Sequence, residues 1–153
     1  MSEPEFRPRL NHVAISMPKE SLDDVGRAEI LDFYGEVFGW TLGDNTGEEG
    51  NPLIMYTGAF GEFVYLLPAD PPLTAPPLDH FGLLVATLDE HAGIVERATS
   101  RAADDERVRV IDTHSRTTPG PGADYTLTSA YVGFRLPLMV EIQHLERHEH
   151  AAG

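Results

Sequence analysis

Cysteine is absent from this chain of 153 residues. That absence removes disulfides, thiolate metal sites, iron–sulfur clusters and cysteine nucleophiles together, and it suits a reducing cytoplasm. Basic residues are scarce as well: 11 Lys and Arg stand against 25 Asp and Glu, for a formal net charge of -14. This balance excludes nucleic acid as a partner, because such binding is driven by cationic neutralisation of phosphates. Long hydrophobic runs are missing too. No stretch approaches the roughly 20 apolar residues of a membrane span, and the acidic opening Met1-Ser2-Glu3-Pro4-Glu5 lacks the apolar core of a secretory signal. The expectation is a cytoplasmic protein with no membrane and no nucleic-acid partner. A chain of roughly 150 residues buries about two-thirds of its unfolded surface, so one domain over 1–153 can carry its own core.

What is present is a repeat. Asn11-His12-Val13-Ala14-Ile15-Ser16 and Asp79-His80-Phe81-Gly82-Leu83-Leu84 open alike, with an amide or carboxylate, a histidine, and alternating apolar and small residues. Period-two alternation makes Leu10–Met17 a strand with His12, Ala14 and Ser16 on one face and Val13, Ile15 and Met17 on the other. Ile30, Phe33, Tyr34, Val37 and Phe38 fall at helical spacing, predicting a helix from about Asp24 to Phe38 that Gly39 stops. Short strands follow at Trp40–Leu42, Leu53–Thr57 and Phe63–Leu67, with an acidic glycine-rich turn over Gly43–Asn51. Trp40 reads as a core or interface anchor.

The segment Pro68–Pro77 holds five of the twelve prolines and reads as a stiff connector between two modules, one about 8–68 and one about 78–146. After it the order repeats. A strand at Phe81–Ala86 leads to a helix that a Thr87 to Glu90 capping box opens, with Leu88, Val95 and Ala98 as its apolar positions and His91 on its surface. Strands are expected at Val108–Ile111, Tyr125–Phe134 and Leu138–Leu145. Thr113–Asp124, rich in Gly, Pro and polar residues, reads as a long irregular loop, and the polar tail after Leu145 as frayed. Both modules thus share a βαβββ plan.

A further strand, Met139-Val140-Glu141-Ile142-Gln143, sets one carboxylate in an apolar run. Two imidazoles and one carboxylate at corresponding points of a duplicated scaffold make His12, His80 and Glu141 a candidate facial ligand set for a divalent metal.

These features resemble the vicinal oxygen chelate superfamily, which includes glyoxalases, extradiol dioxygenases, epimerases and bleomycin-binding proteins. The resemblance is carried by Asn11–Ile15, by Leu31-Asp32-Phe33-Tyr34-Gly35-Glu36-Val37-Phe38-Gly39-Trp40, by Asp79–Leu83 and by Met139–Ile142, and it covers nearly the whole chain. It implies an α+β fold of tandem βαβββ modules, whose curved mixed sheet holds metal and substrate in a concave cup with helices on the convex side. It also implies a homodimer. Metal ligands in this superfamily come from the first and last strands of each module, which gives His12, His80 and Glu141 the ligand role. Aligning Val64-Tyr65-Leu66 with Val140-Glu141-Ile142 puts Tyr65 where relatives carry a carboxylate or amide. That departure weakens a glyoxalase- or epimerase-like isomerase or lyase reading, which needs a base beside the substrate carbon.

The resemblance therefore implies a divalent-metal enzyme acting on a small oxygenated molecule by bidentate chelation, with oxygenase-type chemistry preferred. Fe(II) suits an oxygenase, and Mn(II), Zn(II) or Ni(II) suit the wider set. Tyr65, His114 and Tyr131 are the candidate catalytic groups; Tyr131 lies ten residues before Glu141. Ser16, Arg135 and Gln143 are candidates for the substrate pocket. A rival from another class is a non-catalytic binding protein that sequesters an antibiotic or metabolite, since an acidic chain attracts cationic drugs.

Overall fold

The structure, a computed structural model, describes residues 8–44, 51–112 and 114–150. Most of the Gly43–Asn51 turn, Thr113 at the head of the long loop, and the end of the tail lie outside the described residues. The chain divides into two compact units, one of residues up to Leu31 with Gly39–Leu73, the other of Asp32–Phe38 with the residues from Thr74 onward. The architecture is α+β, with two helices and mixed sheets of four and five strands.

The first unit holds β1 (His12–Met17), β2 (Thr41–Leu42), β3 (Leu53–Tyr56) and β4 (Phe63–Pro68), in the sheet order β1-β4-β3-β2. Strands β1 and β4 are parallel, while β4, β3 and β2 are antiparallel neighbours. The alternation read in β1 holds: Ile15 and Met17 are buried, and His12 and Ala14 are exposed. Gly39, at φ 75, ends the intervening helix in the left-handed conformation that glycine adopts at no steric cost, and Trp40 beyond it is buried.

That helix, α1 (Asp24–Phe38), starts in the first unit, and its last two turns belong to the second. The reason is packing. Phe33 lies against Phe134 with ring centroids 4.6 Å apart, the Tyr34 hydroxyl donates to the Phe134 carbonyl at 2.9 Å, and Arg97 donates to the Val37 carbonyl that ends the helix.

The second unit continues with β5 (His80–Leu84), α2 (Leu88–Asp104), β6 (Arg109–Asp112), β7 (Arg116–Thr118), β8 (Ala123–Gly133) and β9 (Met139–Glu149). Its sheet runs β5-β9-β8-β6, with β7 also on β8, and only the β5–β9 pair is parallel. The expected capping box opens α2: the Thr87 hydroxyl accepts from the Glu90 amide, and the Glu90 carboxylate accepts from the Thr87 amide. This helix packs on β6, β8 and β9.

Three expectations are corrected in this unit. The segment read as irregular contains β7, held to β8 by Ser115–Thr128 and Thr117–Thr126 hydroxyl bonds as well as by the backbone ladder. The tail read as frayed continues β9 to Glu149, because Thr126 bonds His148 and Asp124 bonds His150 across the strands. His91, read as surface, is buried with Ile94 and Ala98, while Leu88 is exposed, so the buried stripe of α2 is turned from the expected one.

Candidate functional site

The register within each sheet places the repeated residues at equivalent points. In the first unit, His12 lies opposite Phe63 and Ala14 opposite Tyr65; in the second, His80 lies opposite Met139 and Gly82 opposite Glu141. Tyr65 is thus the positional counterpart of Glu141, as the alignment of the two modules requires. It is half-buried on the same strand face as His12.

In the second unit four side chains converge. Tyr131 on β8 is directly opposite Glu141 on β9, and Glu141 is opposite Gly82 on β5, so all three share one sheet face. The His80 ring meets Tyr131 edge-on at 5.0 Å, and its Nε2 is 3.2 Å from Glu141 Oε2. The same oxygen accepts a 2.8 Å bond from Gln143 Nε2, and the Tyr131 hydroxyl also hydrogen-bonds the carboxylate. Gly82 adjoins the carboxylate, with the position of a Cβ there 3.8 Å from Glu141 Oε2, an ordinary contact distance.

Glu141 is 6% exposed in a chain that is already acidic. A carboxylate so placed needs donors or a cation, because burying its charge unaccompanied is costly. Tyr131 and Gln143 supply the donors. The Tyr131 phenol is held above its usual range by burial and by the Glu141 charge, so it acts at neutral pH as a donor and not as a base.

Both histidines are oriented through Nδ1. His80 Nδ1 lies 2.9 Å from the Leu78 carbonyl, which can only accept, so the proton is assigned to Nδ1. His12 Nδ1 lies 2.9 Å from Asn11 Oδ1, while Asn11 Nδ2 donates to the Gly61 carbonyl and thereby fixes which amide atom faces the ring. The His12 ring is further held by stacking on Phe63, 4.7 Å away and 7° from parallel. With Nδ1 so engaged, Nε2 is the ring atom that faces any further partner, the pattern that supports metal-ligating histidines, and in His80 it faces Glu141. The 3.2 Å separation of His80 Nε2 and Glu141 Oε2 matches the gap of about 3 Å between adjacent ligands that lie about 2.0–2.2 Å from an ion. Those two donors are spaced as adjacent ligands of a divalent ion would be. Among the described residues, no group of three or more His, Asp or Glu side chains is placed to hold one; His12 belongs to the first unit, His80 and Glu141 to the second.

The other expected residues are spread out. Ser16 is half-buried, with its carbonyl accepting from the Leu73 amide. A cavity of about 280 Å³ in the first unit, lined by Pro18, Lys19, Glu20, Ala69, Asp70 and Pro72, holds none of the expected residues. Arg135 is half-buried in the β8–β9 turn with φ 56, and among the described residues it is the non-glycine position with positive φ. His114 is exposed two residues ahead of β7, where the neighbouring Ser115 is tied to Thr128 at 2.7 Å. The second-layer partners of the histidines escaped the sequence reading. Asn11 was visible only as part of the repeated opening, and the Leu78 carbonyl carries no side-chain signal at all.

A strand–helix–strands plan occurs twice in the chain, and its second occurrence carries a His–Glu pair on one sheet face. The family model for the Glyoxalase/Bleomycin resistance protein/Dioxygenase superfamily matches residues 9–135, and the chain belongs to that superfamily. Solved structures are similar in fold at low identity. A lactoylglutathione lyase from Agrobacterium tumefaciens is 18% identical with a TM-score of 0.52, over 94% of this chain and 96% of that one. A mutant of the fosfomycin resistance protein FosX from Listeria monocytogenes, complexed with Mn(II) and a dihydroxypropylphosphonic acid, is 16% identical with a TM-score of 0.53, over 90% and 92%. A virulence protein from Salmonella typhimurium is 15% identical with a TM-score of 0.53, over 91% and 98%. No curated protein matches the chain. Among the described residues no helix is long and apolar enough to cross a membrane.

Proposed function

We propose that this chain is a divalent-metal enzyme that acts on a small oxygenated molecule, with His80 and Glu141 as ligands and His12, at the equivalent register position of the first unit, as the third. The observation that carries the reading is the convergence of His80 Nε2 and Glu141 Oε2 at 3.2 Å, with the histidine's other nitrogen already committed to the Leu78 carbonyl. A bound ion supplies Lewis acidity to two adjacent substrate oxygens. Fe(II) is the ion of the oxygenase form of this proposal; Mn(II), Zn(II) and Ni(II) suit the same donors.

The chain's own residues favour oxygenase-type chemistry over isomerisation. Tyr65 stands where Glu141 has its counterpart, so a second carboxylate base is missing from that position. Tyr131 holds its proton and fixes the Glu141 carboxylate, while Gln143 occupies the oxygen nearest His80. The proposal extends to a homodimer in a reducing cytoplasm, with size measured by light scattering. Its chemical test is oxygen uptake by Fe(II)-loaded protein offered a panel of catechols and related diols. Uptake that is abolished by Glu141→Ala supports the reading. Absent uptake together with turnover of a hemithioacetal or an epimerisable acid would replace it with the isomerase reading.

A further inference from the structure

Charge is sorted by face on the second sheet. Stepping along the continuous registers from Tyr131 and Glu141, the side that carries them also carries Arg109 on β6, Arg116 on β7 and the mutually paired Arg147 and Glu149 on β9. The other side carries Asp112, Asp124 and Glu146, and among the described strand residues it has no Lys or Arg. In a chain with a net charge of -14, the face of the candidate site is the cationic one.

Arg109 is the nearest of these cations to the His80 end of the cluster. It sits opposite Gly133, while His80 sits opposite Met139. Gly133 stands between Arg109 and Met139, where a Cβ would lie 3.4 Å from the Met139 side chain and 3.9 Å from Arg109 Cβ. The Arg109 guanidinium extends toward the chain just ahead of β5. It reaches the Pro77 carbonyl with two long contacts, 3.3 and 3.4 Å, beside the Leu78 carbonyl that orients His80. Contacts this long to a neutral acceptor leave most of the five guanidinium donors for a better partner, and a planar fork suits an oxyanion.

We propose that Arg109 anchors an anionic group, a carboxylate or similar oxyanion, on the substrate of the His80–Glu141 site, so that the substrate is an acid and not a cation. This rests on the reading of that site given above. It also counts against sequestration of a cationic drug on this face, where Arg109 and Arg116 would repel it.

The test compares catechol with protocatechuate, the same chelating diol bearing a carboxylate, by calorimetric titration of the full chain with Mn(II) and again in EDTA. Mn(II) uptake is followed separately by paramagnetic resonance. Wild-type protein is expected to bind protocatechuate about 10- to 100-fold more tightly than catechol, as a charge-assisted bond implies. Arg109→Ala should erase the preference without changing catechol binding, and Arg109→Lys should retain part of it. Arg107→Ala, which removes the same charge off this face, should keep it. Equal binding of the two probes, no binding of either, or a preference that survives Arg109→Ala overturns the proposal. A preference lost in Arg109→Ala but present without Mn(II) uptake upholds the anion anchor while the metal reading falls. Mn(II) uptake without the preference does the reverse.

Discussion

Removing one hydroxyl, with Tyr34→Phe, separates packing from hydrogen bonding at the buried end of α1. The Tyr34 ring is fully buried, edge-on to Phe33 at 5.0 Å and stacked on Phe38 at 5.7 Å. Phenylalanine keeps the ring and removes the hydroxyl with its 2.9 Å bond to the Phe134 carbonyl. An orphaned buried acceptor costs about 1–3 kcal/mol. Here, however, the Phe134 oxygen also accepts from the Leu136 amide at 2.7 Å and keeps a partner. The expected cost at pH 7 is therefore about 1 kcal/mol, a Tm drop of about 2–4 °C.

At high pH the order reverses. Burial holds the Tyr34 phenol far above its ordinary 10.0, against the opposing effect of the Phe134 bond. A folded value above the unfolded one means that stability is fully present below about pH 10 and lost above it, at about 1.4 kcal/mol per pH unit. Phenylalanine has no such loss, and the remaining tyrosines are common to both proteins. Urea denaturation across the alkaline range is thus expected to show the two stability curves crossing between about pH 10.5 and 11. Parallel curves up to pH 11, or a cost above about 3 kcal/mol at pH 7, would refute the reasoning.

Three further outcomes are expected. Thr87→Ala removes one half of the α2 capping box and should cost about 1 kcal/mol in urea denaturation. Gly39→Ala meets nothing within 4 Å, so its cost comes from the φ of 75 alone, about 1–2 kcal/mol by the same assay. The Asp105 carboxyl, brought down to about 2 chiefly by its side-chain bond to Arg107, should titrate there by NMR and return toward the ordinary carboxylate range in Arg107→Ala. Because the folded value is the lower one, the stabilisation from this pair is present above the unfolded value and lost as pH falls through about 2.

The elements with strong periodicity are legible in the sequence. The alternation of β1, the stripe Ile30, Phe33, Tyr34 and Val37 in α1, and the Thr87–Glu90 box each combine local preference with burial and so point one way. Strands β7 and the end of β9 do not. Their residues are polar on both faces, and what holds them is cross-strand pairing of Thr117, Thr126 and His148, a non-local fact that no window of sequence contains. His91 failed for the opposite reason: a histidine carries no fixed preference for inside or outside, and only the packed orientation of α2 decides it. At the candidate site, the ligand-type residues were visible through the repeat. The Tyr131–Glu141 bond depends on the β8–β9 register, and the approach of Arg109 to the Pro77 carbonyl on the β6–β8 register. Both are products of strand pairing that spacing along the chain does not encode.

The central claim, a divalent-ion site at His80 and Glu141, is tested most directly by Mn(II) uptake in protein free of any affinity tag. One ion per chain is expected, lost in His80→Ala and in Glu141→Ala and retained when His148 and His150 are both changed to alanine. No uptake, or uptake indifferent to His80 and Glu141 but abolished with the two C-terminal histidines, would contradict it.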